Sequence, residues 1–420
     1  MKNAHRILGS LALLSLGAGC ATLTGPISGI SAKKSAPFMI NVDDKQGWGH
    51  YSFGILQEYE EDLIAVHYCT EGDNSTGPFV TVDEEGNYLP GHRLGRGPSV
   101  SADRGATWRT ARPSLPGLPR PSLSPTYLNH LRVENPAFFH SMFDFPDGRR
   151  LVFCPVIMPS RAKTNFTAVG SAIARKADGT WTPAEDIFFD VRGPTGEALE
   201  RNLHLAPRGA VLPDGSLVTV GYTHWPGKYN KRSIGFMTLA FRSTDGGRTF
   251  RTAAIVATQD DAPWGNDGPC EPSVALMPDG DLLCLMRTGD TRTQGKYDFG
   301  LPLLSARSSD GGETWKLKKL SVPGVMPKLL VMQDGTVVMA TGRPGNILLF
   351  SKNAGRSWPR EIQLTRANIL TSGYVDILEV EPGRLLVTYD QYNSPLESFW
   401  LFEPKLINGI MGVFVDVERR

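Results

Sequence analysis

The 420-residue chain has no surplus of charge: 44 basic and 43 acidic side chains leave a formal net charge of +1. A phosphate backbone is gripped through a strongly cationic surface, so nucleic acid is excluded from the expected partners. Five cysteines and eight histidines include no Cys-x-x-Cys or His-x-His pair. That removes a structural zinc site, no EF-hand loop is present either, and no metal is expected. Neither a Walker-type phosphate loop nor a dinucleotide fingerprint occurs, so nucleotide chemistry drops out and no cofactor is expected. The apolar run from Ile7 to Leu16 is too short to span a bilayer. With 40% hydrophobic residues the chain is still too apolar for disorder, and 45 Gly with 31 Pro imply many turns between short strands.

Lys2 and Arg6 precede that apolar run, and Gly17, Ala18 and Gly19 lead from it to Cys20. A positive start, a short apolar core and a small-residue exit make residues 1–20 an export signal, followed by a linker over 21–36 and a folded body over 37–420. A Cys after small residues also resembles a bacterial lipoprotein signal, although Gly17 stands where that family usually has Leu. Ordinary export and a membrane anchor through lipidated Cys20 therefore both stand. The destination is the periplasm, the outer membrane or the exterior. There Cys69, Cys154, Cys270 and Cys284 meet oxidising conditions, and spacing alone chooses no disulfide among them.

A turn followed by an aliphatic strand recurs six times. It reads Glu60-Glu61-Asp62-Leu63-Ile64, Pro146-Asp147-Gly148-Arg149-Arg150-Leu151, Pro213-Asp214-Gly215-Ser216-Leu217, Pro278-Asp279-Gly280-Asp281-Leu282, Gln333-Asp334-Gly335-Thr336-Val337 and Glu381-Pro382-Gly383-Arg384-Leu385. The first aliphatic residues lie 88, 66, 65, 55 and 48 residues apart, so six units fill the mature chain. A second phrase, Ser-x-Asp-x-Gly-x-Thr-Trp, starts at Ser101, Ser243 (ending in Phe250) and Ser308, and again at Ser351 with Asn353 in the Asp place. Its chemistry is that of a hairpin turn: the carboxylate ties down the loop backbone, Gly accepts the left-handed conformation, and the ring covers the sheet edge.

These four phrases resemble the Asp boxes of the sialidase (neuraminidase) superfamily, over nearly the whole mature chain from about Pro37. The resemblance implies an all-β, six-bladed β-propeller. Six strand-rich units that cannot each bury a face alone must also pack radially, and closure of the ring removes exposed edges. Residues near Pro37–Val42 and Gly412–Val417 are expected to share the closing blade.

Asp boxes identify a fold and not a reaction. The family resemblance implies an arginine triad for a sugar carboxylate, a Tyr nucleophile paired with a Glu, and an Asp acid/base. Cys270-Glu271-Pro272-Ser273 and Leu285-Met286-Arg287-Thr288 match the Glu and the second triad Arg, 16 residues apart. Ser372-Gly373-Tyr374-Val375-Asp376 matches the nucleophile stretch. A neutral Tyr approaches an anomeric carbon that already bears a carboxylate, whereas a carboxylate nucleophile would be repelled, and Glu271 then accepts the phenolic proton. Arg343, ahead of the last box, matches the third Arg. The first Arg is missing: the stretch reads His50-Tyr51-Ser52, so either His50 substitutes or the charge comes from elsewhere, such as Arg161 or Arg208. In the loop after the first hairpin, Asp73 is the first choice for acid/base and Glu71 the second. His204, Arg208, His224 and Trp225 concentrate rings and charge in the third unit, where substrate specificity is expected.

The sequence thus reads as a monomeric, exported, retaining exo-glycosidase that removes a terminal sialic acid or another acidic sugar from glycans. Two other readings stay open: a non-catalytic carbohydrate-binding propeller, and a uronate polysaccharide lyase using His and Tyr.

Overall fold

The computed structural model describes residues 29–40, 51–58, 64–70, 99–110, 141–154, 156–160, 166–198, 201–224, 235–289, 301–366, 371–392 and 408–419. Among them the regular structure is β throughout, save one 3-10 turn at Gln259–Asp261. Asp residues of the recurring turns set the hairpins. Asp147, Asp214, Asp279 and Asp334 each accept a hydrogen bond from the backbone N–H two residues on, at 2.8–3.3 Å. The strands that follow are apolar on both faces. Leu282–Gly289 and Val337–Gly342 are buried at every position, as expected of strands sandwiched between neighbouring sheets.

Sequence-adjacent strands pair into antiparallel meanders. One comprises Gly268–Leu276, Leu282–Gly289, Pro302–Ser308 and Lys316–Pro323; the next Val325–Val331, Val337–Gly342, Asn346–Ser351 and Arg360–Thr365. Another comprises Tyr51–Glu58, Ile64–Thr70, Ser99–Ser101 and Arg109–Thr110. Residues 141–257 form a ten-stranded sheet, in which Glu185–Asp190 pairs both with Ala168–Arg175 and, in parallel, with Thr249–Ala257, so that seven strands close on themselves. In the last sheet Val375–Glu381, Arg384–Tyr392 and Asn408–Arg419 are joined by the N-terminal strands Ile30–Lys34 and Phe38–Met39, with Phe38 opposite Gly412. Ile30–Lys34 falls within the stretch read from the sequence as linker. Sheet pairing therefore begins before Pro37, because the long strand Asn408–Arg419 offers an edge that these residues fill.

The apolar clusters lie between sheets. Val274, Leu282 and Cys284 pack on Val218, Val220 and Ala240 of the large sheet; Leu283 and Leu285 pack on Val337 and Met339; Val338 and Phe350 pack on Ile377 and Val387. Leu378 and Leu386 then pack on Leu56, Ile64 and Val66, returning the stack from the last sheet to the first. Cys154, Cys270 and Cys284 are buried.

The Asp boxes bind their neighbours. In the box at Ser308 the hydroxyl donates to Asp310 and accepts from Gly312 N–H, while Asp310 accepts from Thr314 N–H and hydroxyl and Trp315 Nε1 donates to Gly312 O at 3.0 Å. Those bonds hold the Asp310 carboxyl down at about 2. Asn353 keeps the same loop, its amide donating to Ser357 Oγ at 2.9 Å where Asp would accept. A Cβ on Gly247 would stand 2.3 Å from Leu151 and one on Gly355 2.5 Å from Leu283, so box glycines dock on the repeat strand of the preceding meander.

Gly246 and Gly247 both have positive φ, 75° and 90°, but Gly246 has open space around it, and Ala354 occupies the equivalent place in the fourth box at φ 55°. Gly246→Ala should therefore cost about 1 kcal/mol. Gly247→Ala, which adds a clash in a packed core, should cost about 2–4 kcal/mol. Urea unfolding midpoints of the two variants check the difference.

Candidate functional site

Three first strands of successive sheets, Gly268–Leu276, Val325–Val331 and Val375–Glu381, bring the site together, and backbone distortion aims its groups. Five non-glycine residues among those described have positive φ. Arg104 and Ala354 belong to Asp-box turns; of the other three, Glu271 (47°) and Met326 (41°) meet at the Glu271 carboxylate, and Arg343 (59°) lies against Tyr374, which donates to it. Register slips accompany two of them, between Cys270 and Ser273 and between Val325 and Lys328. Such conformations cost roughly 1–3 kcal/mol each and cluster where surrounding contacts over-determine them.

The carboxylate is that of Glu271. Its Oε1 accepts from Arg287 Nη1 at 2.9 Å and from the Tyr374 hydroxyl, and its Oε2 accepts from Met326 N–H at 3.0 Å. Glu271 and Arg287 side chains are only 10% and 9% exposed, so the charge-assisted bonds act in a poorly solvated setting. Arg343 Cζ lies 6.0 Å from the Tyr374 ring centroid, and its Nε donates to Ser372 O at 2.7 Å. Burial, and then the negative charge of Glu271, push the Tyr374 hydroxyl well above its ordinary pKa. The phenol is thus neutral at rest, with a carboxylate already seated to receive its proton.

The turn carrying Tyr374 is held from behind. Asp390, fully buried, accepts from Ser372 N–H at 2.6 Å, from Ser372 hydroxyl at 2.5 Å and from Thr371 hydroxyl at 2.9 Å. Gly373 has φ 79°, and a Cβ there would stand 2.7 Å from Arg343 Cγ, so only glycine lets that side chain pass. Asp390 escaped the sequence reading, although an Asp interrupting the apolar strand Arg384–Tyr392 was a visible signal. Lys328, a buried lysine in the strand Val325–Val331, was missed in the same way.

Of the residues selected from the sequence, Glu271, Arg287, Arg343 and Tyr374 form this cluster. His204 stacks on Tyr222, with ring centroids 5.2 Å apart, and Tyr222 feels the charges of Glu271 and Arg287, which puts the stack beside the cluster. Arg201, Asn202, His204, Thr223, His224 and Phe236 line a cavity of about 430 Å³. Arg208 is paired with Asp144 at 3.0 Å, so as a replacement for the missing arginine it is already engaged. His50, Asp73 and Trp225, with Glu71 and Arg161, lie outside the residues described. No group of three or more His, Cys, Asp or Glu side chains suited to a metal occurs among the described residues. No described helix is long and apolar enough to cross a membrane.

Burial lowers His204 to about 4. Its unfolded value lies near 6.5, so the folded state binds fewer protons between these pH values and stability drains away as pH falls from about 6.5 to about 4. The loss should be on the order of 3 kcal/mol, and His204→Phe should remove that part of the slope while keeping the stack. Urea unfolding of both proteins at pH 7 and pH 4 measures it.

The model of the BNR repeat-like domain family matches residues 175–387. No curated protein matches the sequence. Among solved structures, a protein of unknown function from Dyadobacter fermentans is similar over 94% of this chain and 100% of its own, at 18% identity and a TM-score of 0.57. A mutant of the NanB sialidase from Streptococcus pneumoniae is similar over 91% of this chain and 70% of its own, at 13% identity and a TM-score of 0.52. At these identities the likeness is one of fold. Because the family model spans half of the sequence, from the second recurring unit into the sixth, the chain belongs to the BNR repeat-like domain family.

Proposed function

We propose that the protein is an exported six-bladed β-propeller acting as a retaining exo-glycosidase of the sialidase type, which removes a terminal acidic sugar from a glycan. The observation that carries this reading is the Tyr374 hydroxyl donating to a Glu271 carboxylate that Arg287 also binds, with Arg343 over the Tyr374 ring. The propeller is supported by six repeat strands and by apolar packing that returns from the last sheet to the first.

In the first step Tyr374 Oη attacks the anomeric carbon while its proton passes to Glu271. The bond from that carbon to the leaving oxygen breaks, and Asp73 gives that oxygen a proton. In the second, Asp73 takes a proton from water, whose oxygen displaces Tyr374 from the sugar, and Glu271 returns its proton to the phenolate. Arg343, and the Arg287 N–H groups not given to Glu271, hold the substrate carboxylate. His50, His204, Arg208 and Trp225 belong to the wall around the sugar. The enzyme works as a monomer, either free or held at a membrane through Cys20.

A lyase needs an imidazole beside the tyrosine that abstracts the proton. His204 stacks on Tyr222, whereas Tyr374 gives its hydroxyl to a carboxylate, which favours hydrolysis. Sugar release from a fluorogenic α-sialoside is expected from the mature protein, and Tyr374→Phe should lower kcat on the order of 10³-fold or more. Absence of turnover by the unaltered protein would sink the sialidase reading, and an ultraviolet-absorbing product from a uronate polymer would replace it with the lyase.

A further inference from the structure

The cavity of about 430 Å³ on the large sheet falls within the size of small-molecule sites, about 300–1,000 Å³. Three paired strands build it. Leu203–Leu205 supplies His204, Leu217–His224 supplies Thr223 and His224, and Phe236–Ser243 supplies Phe236, with Arg201 and Asn202 just ahead of the first. The register puts His204 opposite Tyr222 and His224 opposite Phe236. His224 and Phe236 meet edge to face at 6.2 Å, Phe236 meets Tyr222 in the same way at 5.3 Å, and Tyr222 stacks on His204. Four rings in mutual contact thus form one rigid wall, against which the C–H face of a sugar ring packs.

Polar groups at the same cavity are uncommitted. Among the described residues neither the Arg201 guanidinium, the Asn202 amide nor the His204 ring makes a hydrogen bond or an ion pair, whereas the Thr223 hydroxyl donates to Asn202 O at 2.9 Å. No acidic side chain is among the described residues that line the cavity. Burial keeps His204 uncharged at neutral pH, so its ring offers one donor and one acceptor, and Arg201 supplies the positive charge. This set fits a ligand that combines a ring face, hydroxyl groups and a negative charge.

Backbone contacts put the cavity beside the dyad. Phe236 N–H donates to Asp267 O at 2.5 Å, and a Cβ on Gly268 would stand 2.3 Å from Phe236 O, so glycine lets the strand that carries Glu271 start against the cavity wall. Thr238, opposite Tyr222, gives its hydroxyl to Pro269 O at 3.0 Å, two residues before Glu271.

We propose that this cavity is a second sugar subsite, which takes an acidic sugar unit adjoining the terminal sugar at the dyad, with Arg201 on its anionic group and the ring wall on its face. Its place in turnover rests on the hydrolase reading; its binding does not. The full chain is labelled with ¹³C-histidine, and the His204 ring signal is assigned by its loss in His204→Phe. Methyl β-glucuronide should move that signal saturably, and methyl β-glucoside should bind about tenfold more weakly. Arg201→Gln should weaken the glucuronide about tenfold and erase its advantage over the glucoside, while Arg201→Lys keeps most of it. Because Arg201 is exposed, neither change threatens the fold. An immobile His204 signal, equal binding of the two sugars, or full affinity in Arg201→Gln overturns the proposal.

On a dimer of α-linked sialic acids, Arg201→Gln should raise KM about tenfold. An unchanged KM, or turnover of a simple α-sialoside but not of the dimer, overturns the placement beside the dyad. If the parent protein turns over neither, the hydrolase reading fails by itself, and the histidine titration still decides whether the cavity takes an acidic sugar.

Discussion

The site depends on one carboxylate reached by three donors from three different sheets. Glu271 accepts from Arg287 on its own sheet, from Met326 on the next, and from Tyr374 on the one after. Each bond is charge-assisted and poorly solvated, and together they are strong enough to hold non-glycine residues in left-handed backbone at Glu271 and Met326. A regular pleat would carry these side chains and N–H groups across the strand, away from one another. The slips at Cys270–Ser273 and Val325–Lys328 turn them to a common point.

Convergence of this kind needs the first strands side by side, which the packing of Gly268–Leu276, Val325–Val331 and Val375–Glu381 provides. Four of the apolar clusters take residues from two sheets, and among them Leu378 and Leu386 of the last sheet meet Leu56 and Ile64 of the first. Asp-box glycines press on these strands, Gly247 on Leu151 within the large sheet and Gly355 on Leu283 of the preceding sheet. The N-terminal strands do so from the end, with Lys34 Nζ donating to Gln363 O and Leu364 O of the neighbouring meander. Stability is thus distributed over the contacts between sheets, while strained backbone and buried charge collect around Glu271. In the proposed mechanism that division leaves the central groups free to be chosen for chemistry.

Buried polarity at the centre is of two kinds. Asp390 is fully satisfied by Thr371 and Ser372 and acts as a rigid support for the turn that carries Tyr374. Lys328 has no hydrogen-bond partner for its amine among the described residues, and burial holds its pKa below the ordinary value.

Local chemistry made much of the protein legible in the sequence alone. Recurring Asp-Gly turns with aliphatic runs marked six strands, the Ser-x-Asp-x-Gly phrases marked hairpins, and the spacing of Glu271 from Arg287 marked facing positions on two paired strands. Each of these is a contact between residues close in the chain, set by backbone preference and side-chain reach. What lies between distant segments was decided only by the tertiary structure: the bond from Tyr374 to a carboxylate 103 residues away, the Met326 N–H on the same group, the Asp390 support, the burial of Lys328, and the pairing of Ile30–Lys34 within the stretch read as linker. Two bulges and the packing of sheet on sheet produce those contacts, and neither has a periodicity that a sequence displays, because a bulge is one extra residue and sheet packing is a matter of burial in three dimensions.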